Sequence, residues 1–180
     1  MAKYQRRSKG KEIRPTFFVF CEGESEESYI SYIRSKYRVP IRIESKVAKN
    51  RIDQKYVTRI ISSLPKHEKD RHFLMYDLDV PEVTEKLLSM KKTILILSNP
   101  CIELWYILHT YNHTAEATSQ ECIRQLEGIC RGYRKGYICD KLKHKLIAGI
   151  ENASKRAKKL LLYQNPSTSV YRLIDELDRV

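Results

Sequence analysis

Long apolar runs are missing from this 180-residue chain. None approaches the ~20 residues that a membrane-spanning helix needs, so no membrane partner is expected. The basic N-terminus is not followed by an apolar stretch, which argues against a secretory signal. Cysteine is sparse: Cys21, Cys101, Cys122, Cys130 and Cys139 are odd in number, irregularly spaced and without a CxxC pair. That pattern excludes a disulfide framework and argues against Cys122, Cys130 and Cys139 as zinc ligands. Free thiols point to a reducing, cytoplasmic setting. The 6 glycines form neither G-x-x-x-x-G-K-[ST] nor G-x-G-x-x-G, so no further nucleotide-binding loop is visible, which argues against nucleotidyl transfer of the primase kind. Internal repeats and low-complexity segments are absent as well.

What is present in excess is positive charge. Lys and Arg number 34 against 22 Asp and Glu, a formal net charge of +12. Such a balance favours a polyanionic partner, nucleic acid first and an acidic membrane surface second. The length fits one structural unit with a real core. Residues 1–15 form a basic arm, 16–111 an α/β domain, and 112–180 a helical cap packed on it.

Hydrophobic patterning in 16–111 alternates strand with helix. The run Thr16 to Cys21 is apolar, β-branched and aromatic, as expected of a strand buried on both faces. It stops at Glu22-Gly23, and a helix capped by Ser25 follows to about Tyr37. The alternating Ile41-Arg-Ile-Glu-Ser predicts a short strand near the sheet edge. A helix over about 54–64 comes next, then a strand over 73–76 that ends in Asp77-Leu-Asp79, and a helix over 82–90. A fourth strand, 93–97, leads into Ser98-Asn99-Pro100, where Asn99 as cap and Pro100 at the first helical position predict a buried helix over 101–110. Trp105 reads as core, and His109 as a ring whose protonated form suits the helix end. In the cap, helices are predicted over 119–129 and 147–162. The basic stretch 131–145 lies between them, broken by glycines and carrying tyrosines. Asn165-Pro-Ser-Thr168 reads as the cap of a final helix. The expected fold is therefore a mainly parallel four-stranded sheet with right-handed crossovers, flanked by helices, with a C-terminal helical addition.

The acids at strand ends carry the chemistry. Open α/β sheets place ligands at the carboxyl ends of their strands. Glu22 and Asp77 close two core strands, Asp79 shares a side with Asp77 two residues on, and Glu103 sits in the first turn of the buried helix. Clustered carboxylates repel one another, and a hard divalent cation with oxygen preference relieves this. Alternatives stand beside that reading: Asp79 as a helix cap, Glu103 as the partner of a cap-domain Arg or Lys, Glu24 and Glu27 as first-turn dipole acids.

The residues also resemble a known family. Glu-Gly after a first hydrophobic strand and Asp-x-Asp after a later one form the signature of the Toprim domain of topoisomerases, primases and OLD-type nucleases. The finer pattern Glu22-Gly-Glu-Ser-Glu26, Tyr76-Asp-Leu-Asp79, Ser98-Asn-Pro-Cys-Ile-Glu-Leu-Trp105 with His109, and Asn165-Pro-Ser-Thr168 resembles the RloB family over nearly the whole chain. The resemblance implies a Toprim-like sheet. It implies Glu22, Asp77 and Asp79 as catalytic residues, and Glu22, Glu26, Asp77, Asp79 and Glu103 as ligands of Mg²⁺ or Mn²⁺, with Glu103 departing from the OLD spacing. It further implies a prokaryotic restriction or abortive-infection setting and an ABC-type ATPase as partner protein.

The leading expectation is a Mg²⁺-dependent nuclease acting on DNA or a structured RNA such as tRNA in antiviral defence. Arg131, Arg134, Lys135, Lys141, Lys143 and Lys145 are the expected phosphate contacts. Lys46, Lys141 and Lys143 are unranked candidates for an assisting base. The competing expectation is a non-catalytic subunit that binds nucleic acid or the ATPase.

Overall fold

The computed structural model describes residues 15–37, 42–78 and 81–179. Residues 1–14 of the basic arm and Asp79 lie outside the described residues, so the roles expected of them are not addressed by the fold. Elements follow in the order β1 (Thr16–Cys21), α1 (Glu24–Lys36), β2 (Arg42–Val47), α2 (Gln54–Ser62), β3 (Arg71–Asp77), α3 (Pro81–Ser89), β4 (Ile94–Asn99), α4 (Glu103–Leu108), α5 (Ser119–Ile129), α6 (Asp140–Ala157), β5 (Ser167–Thr168) and α7 (Tyr171–Leu177). The sheet order is β2-β1-β3-β4-β5. The first four strands are parallel and β5 is antiparallel to β4. This five-stranded, mostly parallel sheet flanked by helices agrees with a Toprim-like α/β fold.

Strand alternation divides the apolar residues between two faces. Phe17, Val19, Cys21, Phe73 and Met75 pack with α1 and with the buried residues of α4 to α7. Phe18, Phe20, Leu74 and Tyr76 pack with Val57 of α2 and Val83 and Leu87 of α3. The first cluster is continuous from the sheet into the C-terminal helices. Leu104, Trp105, Tyr106, Ile107 and Leu108 are all fully buried within it, as a helix apolar all round requires. Trp105 Nε1 donates to Tyr29 Oη at 2.8 Å, and an Arg156 guanidinium donates to Leu108 O at 2.6 Å, satisfying a carbonyl at the end of α4.

Several expectations change. The cap of α1 is Gly23, not Ser25; the Glu26 carboxylate accepts from Gly23 N–H at 2.9 Å, which draws the reciprocal partner from inside the helix. Asn99 and Pro100 do not start α4. Asn99 pairs with Ser167 as the last residue of β4, the Asn99–Pro100 peptide is cis, and α4 begins at Glu103. A fifth strand adds to the four expected, because Ser167-Thr168 bridges to β4 rather than capping α7. Ser98 Oγ and Thr168 Oγ1 stand 2.9 Å apart, and Ser169 N donates to Leu97 O at 2.9 Å. Asn165 uses its amide to accept from Ala117 N at 3.1 Å and to donate to Ala117 O at 2.8 Å. Finally, α6 begins at Asp140 rather than near 147, so Lys141, Lys143 and Lys145 are helical. Its buried stripe Leu142, Leu146, Gly149, Ala153 and Ala157 passes over the end of α4, and any side chain at Gly149 would overlap the His109 carbonyl. That close crossing explains a glycine in mid-helix, which otherwise weakens a helix by ~1 kcal/mol.

Candidate active site

The strand order puts a topological switch between β1 and β3. From β1 the chain leaves to β2 on one side, then crosses back to β3 on the other, and the crevice between these two strand ends is where such sheets take ligands. Glu22 and Asp77 occupy that crevice. Glu22 N donates to Met75 O at 3.0 Å and a Glu22 carboxylate oxygen accepts from Asp77 N at 2.8 Å, so the two strand ends are tied together through the acid itself. Asp77 continues the Phe73–Met75 alternation toward α1 and α4, whose first turns bring Glu26 and Glu103.

Two of these acids are buried where carboxylates rarely are without a partner, and a third, Asp77, is half-buried. Glu103 is fully buried and Glu26 is 4% exposed. Tyr133 Oη donates to Glu103 Oε1 at 2.8 Å, whereas Glu103 Oε2 is buried with no hydrogen-bond partner among the described residues. Asp77 Oδ1 is in the same condition. Burial, then the charges of Glu26, Glu22 and Glu103, push the Asp77 carboxyl well above the ordinary range, with Lys135 pulling the other way. Glu26 is raised to about 7 by burial, opposed by the amides of its own helix turn and reinforced by Glu22 and Glu103. Mutual fields of this kind mean that the four carboxyls form one electrostatic cluster.

Lys135 is the cation facing that cluster. Burial lowers its pKa, but the fields of Glu103, Asp77, Cys101 and Glu26 outweigh it and hold the ammonium above the usual lysine range. The other basic candidates go elsewhere. Lys46 lies over the Tyr56 ring, and Lys143 pairs with Asp140 at 2.9 Å. Arg131, Arg134 and Lys141 are exposed, as Lys135 is, and Lys145 is half-buried. Tyr133, which positions Glu103, was not singled out by the sequence; its only signal is that it is one of two tyrosines in a glycine-broken basic stretch. His109 differs from expectation: it is buried, bonded through Nδ1 to Trp105 O at 2.8 Å, and burial lowers it to about 4, so the ring is neutral. The five cysteines are free.

Among the described residues no group of three or more His, Cys, Asp or Glu is arranged to hold a metal ion as it stands. The donor chemistry nevertheless fits one. All four acids offer hard oxygens, the donors Mg²⁺ takes, and Asp77 and Glu103 each keep one buried oxygen unpartnered. No helix among the described residues is long and apolar enough to cross a membrane.

The fold and this crevice together define an α/β protein of Toprim-like architecture with an acid cluster at its switch point. A family model described as RloB-like protein matches residues 17–177, and the chain belongs to that family. Searches of curated proteins and of solved structures found no match.

Proposed function

We propose that this protein is a divalent-metal-dependent nuclease that hydrolyses phosphodiester bonds at the β1–β3 crevice. The observation that carries the reading is the pair of buried, unpartnered carboxylate oxygens on Asp77 and Glu103 within a cluster of four acids. Left without a cation, that charge is costly; each buried unpaired acid costs several kcal/mol. Glu22, Glu26, Asp77 and Glu103 would hold Mg²⁺ or Mn²⁺, and Asp79 joins them by the Asp-x-Asp pattern. When bound, such an ion activates water and stabilises the leaving oxygen of a phosphodiester.

The chain's own residues prepare the crevice. Glu22 is fixed by the Asp77 amide, and Tyr133 orients Glu103. Lys135 supplies positive charge on the side of the acids, where a phosphate must approach against their repulsion. Membership of the RloB-like family and the basic charge support a role as effector in prokaryotic antiviral defence, with an ABC-type ATPase as partner.

The test uses the purified protein with Mg²⁺ or Mn²⁺ and plasmid, single-stranded DNA and total tRNA. The parent is expected to cleave at least one of them, and Asp77→Asn to lose cleavage by on the order of a thousandfold while keeping its circular dichroism spectrum. An Asp77→Asn variant that cuts like the parent rules out the acid cluster as the site.

A further inference from the structure

A tight turn in the cap stands against the N-terminal half of α1. Tyr137 N donates to Arg134 O at 3.1 Å, the two residues forming an isolated bridge with Lys135-Gly136 at its tip. Gly136 has φ of 78°, which the third position of a type II turn requires. Ser28 Oγ donates to Gly136 O at 2.5 Å and pins the turn to α1. Two clefts flank it and share Gly136. One, of about 340 Å³, is lined by Lys135 and Lys49 with Glu24 and Ser25. The other, of about 390 Å³, runs along α1 past Ser31, Tyr32 and Ser35 to Tyr137 and Lys143.

Four features mark this path as a binding surface. Lys49 holds a left-handed backbone at φ of 50°, a conformation that costs a non-glycine residue and concentrates at functional sites. Its carbonyl accepts from Tyr76 Oη at 3.1 Å, tying it to β3. Tyr32, 7% exposed, lines the second cleft and its hydroxyl is buried with no partner among the described residues. Tyr137 is 62% exposed, an aromatic ring at the cleft wall with lysines on both sides of the turn. The Lys143–Asp140 pair is itself exposed, and such pairs are weak enough to exchange for a phosphate.

We propose that the protein takes a single strand of nucleic acid across this turn, with Lys49 and Lys135 on the phosphate nearest the acid cluster, an unpaired base stacked on Tyr137, and Lys143 on a further phosphate. A basic groove with an exposed aromatic ring is how proteins grip unpaired strands, since a paired base offers no free face to stack. Glu24 and Glu27 line the α1 wall, so the phosphates lie on the lysine side. The proposal deepens the nuclease reading by naming its substrate as single-stranded, yet its test needs no cleavage.

Fluorescence anisotropy of a labelled short single strand and of the matching duplex, in EDTA, reads the binding alone. The parent is expected to prefer the single strand. Tyr137→Ala is expected to weaken single-strand binding on the order of tenfold, Tyr137→Phe to restore it, and duplex binding to be unchanged by either. Lys135→Ala and Lys49→Ala should each lower the slope of log affinity against log salt by about 0.7. Equal affinity for strand and duplex, or parent-like single-strand binding by Tyr137→Ala, overturns the proposal. A parent that binds in this way and never cleaves contradicts the nuclease reading and leaves the strand path standing; cleavage unaccompanied by any effect of Tyr137→Ala on binding does the reverse.

Discussion

Replacing Glu26 by glutamine tests the electrostatics of the crevice without touching nucleic acid. Glu26 is 4% exposed and its carboxyl is raised from 4.5 to about 7 by burial, with Glu22 and Glu103 adding to the effect. The folded state therefore holds the proton more tightly than the unfolded chain, and stability from this group is complete below pH ~4.5 and lost as pH rises through about 7. Taking 1.36 kcal/mol per pKa unit, the shift corresponds to about 3 kcal/mol lost between pH 4 and pH 8 in metal-free protein. Glutamine keeps an oxygen for the Gly23 amide and carries no charge, so Glu26→Gln should lack this part of the pH dependence. Urea unfolding with EDTA, followed by circular dichroism from pH 4 to 8, measures the difference. The parent should weaken by about 3 kcal/mol more than the variant over that range. Addition of Mg²⁺ at pH 8 should stabilise the parent by more than it stabilises Glu26→Gln. Parallel pH profiles for the two proteins would refute the reasoning, because an acid in a buried like-charge cluster must show its titration in the stability.

Gly149→Ala should be destabilised by about 3 kcal/mol in thermal or urea unfolding, since the new methyl group would overlap the His109 backbone where α6 crosses α4. Asn165→Ala should lose about 2 kcal/mol by the same measurement, because it strips both backbone partners from Ala117. Glu103→Gln should weaken Mn²⁺ binding by at least tenfold in calorimetric titration, and unchanged affinity would place Glu103 outside the metal site.

The alternation of strand and helix was legible because both periods are strong here. The β1 run and the β3 run are apolar without interruption, and β2, which alternates, lies at the sheet edge as expected. That Glu22 and Asp77 lie together at adjacent strand ends was legible because an acid closing a buried strand contributes nothing to packing and is costly to desolvate. Glu103 was legible from its place in an otherwise apolar helix. What sequence patterning missed depends on contacts across the chain. Ser167-Thr168 is too short for any periodic signal and becomes a strand only because β4 offers it an edge. The cap of α1 passed to Gly23 because Glu26 reaches back to its amide. The start of α6 at Asp140 is masked in the sequence by the lysines of the basic stretch 131–145, which dilute the stripe begun by Leu142 and Leu146. Lys135 was one basic residue among six until the turn at Gly136 set it opposite the acids.

The central claim is that the carboxylates at the β1 and β3 ends form a site for a divalent cation. Titration of the purified protein with Mn²⁺, followed by electron paramagnetic resonance of the free ion, tests it most directly. The account predicts saturable Mn²⁺ binding that Asp77→Asn abolishes and excess Mg²⁺ displaces. A free-ion signal that the protein leaves undiminished, or binding that Asp77→Asn leaves unchanged, would contradict it.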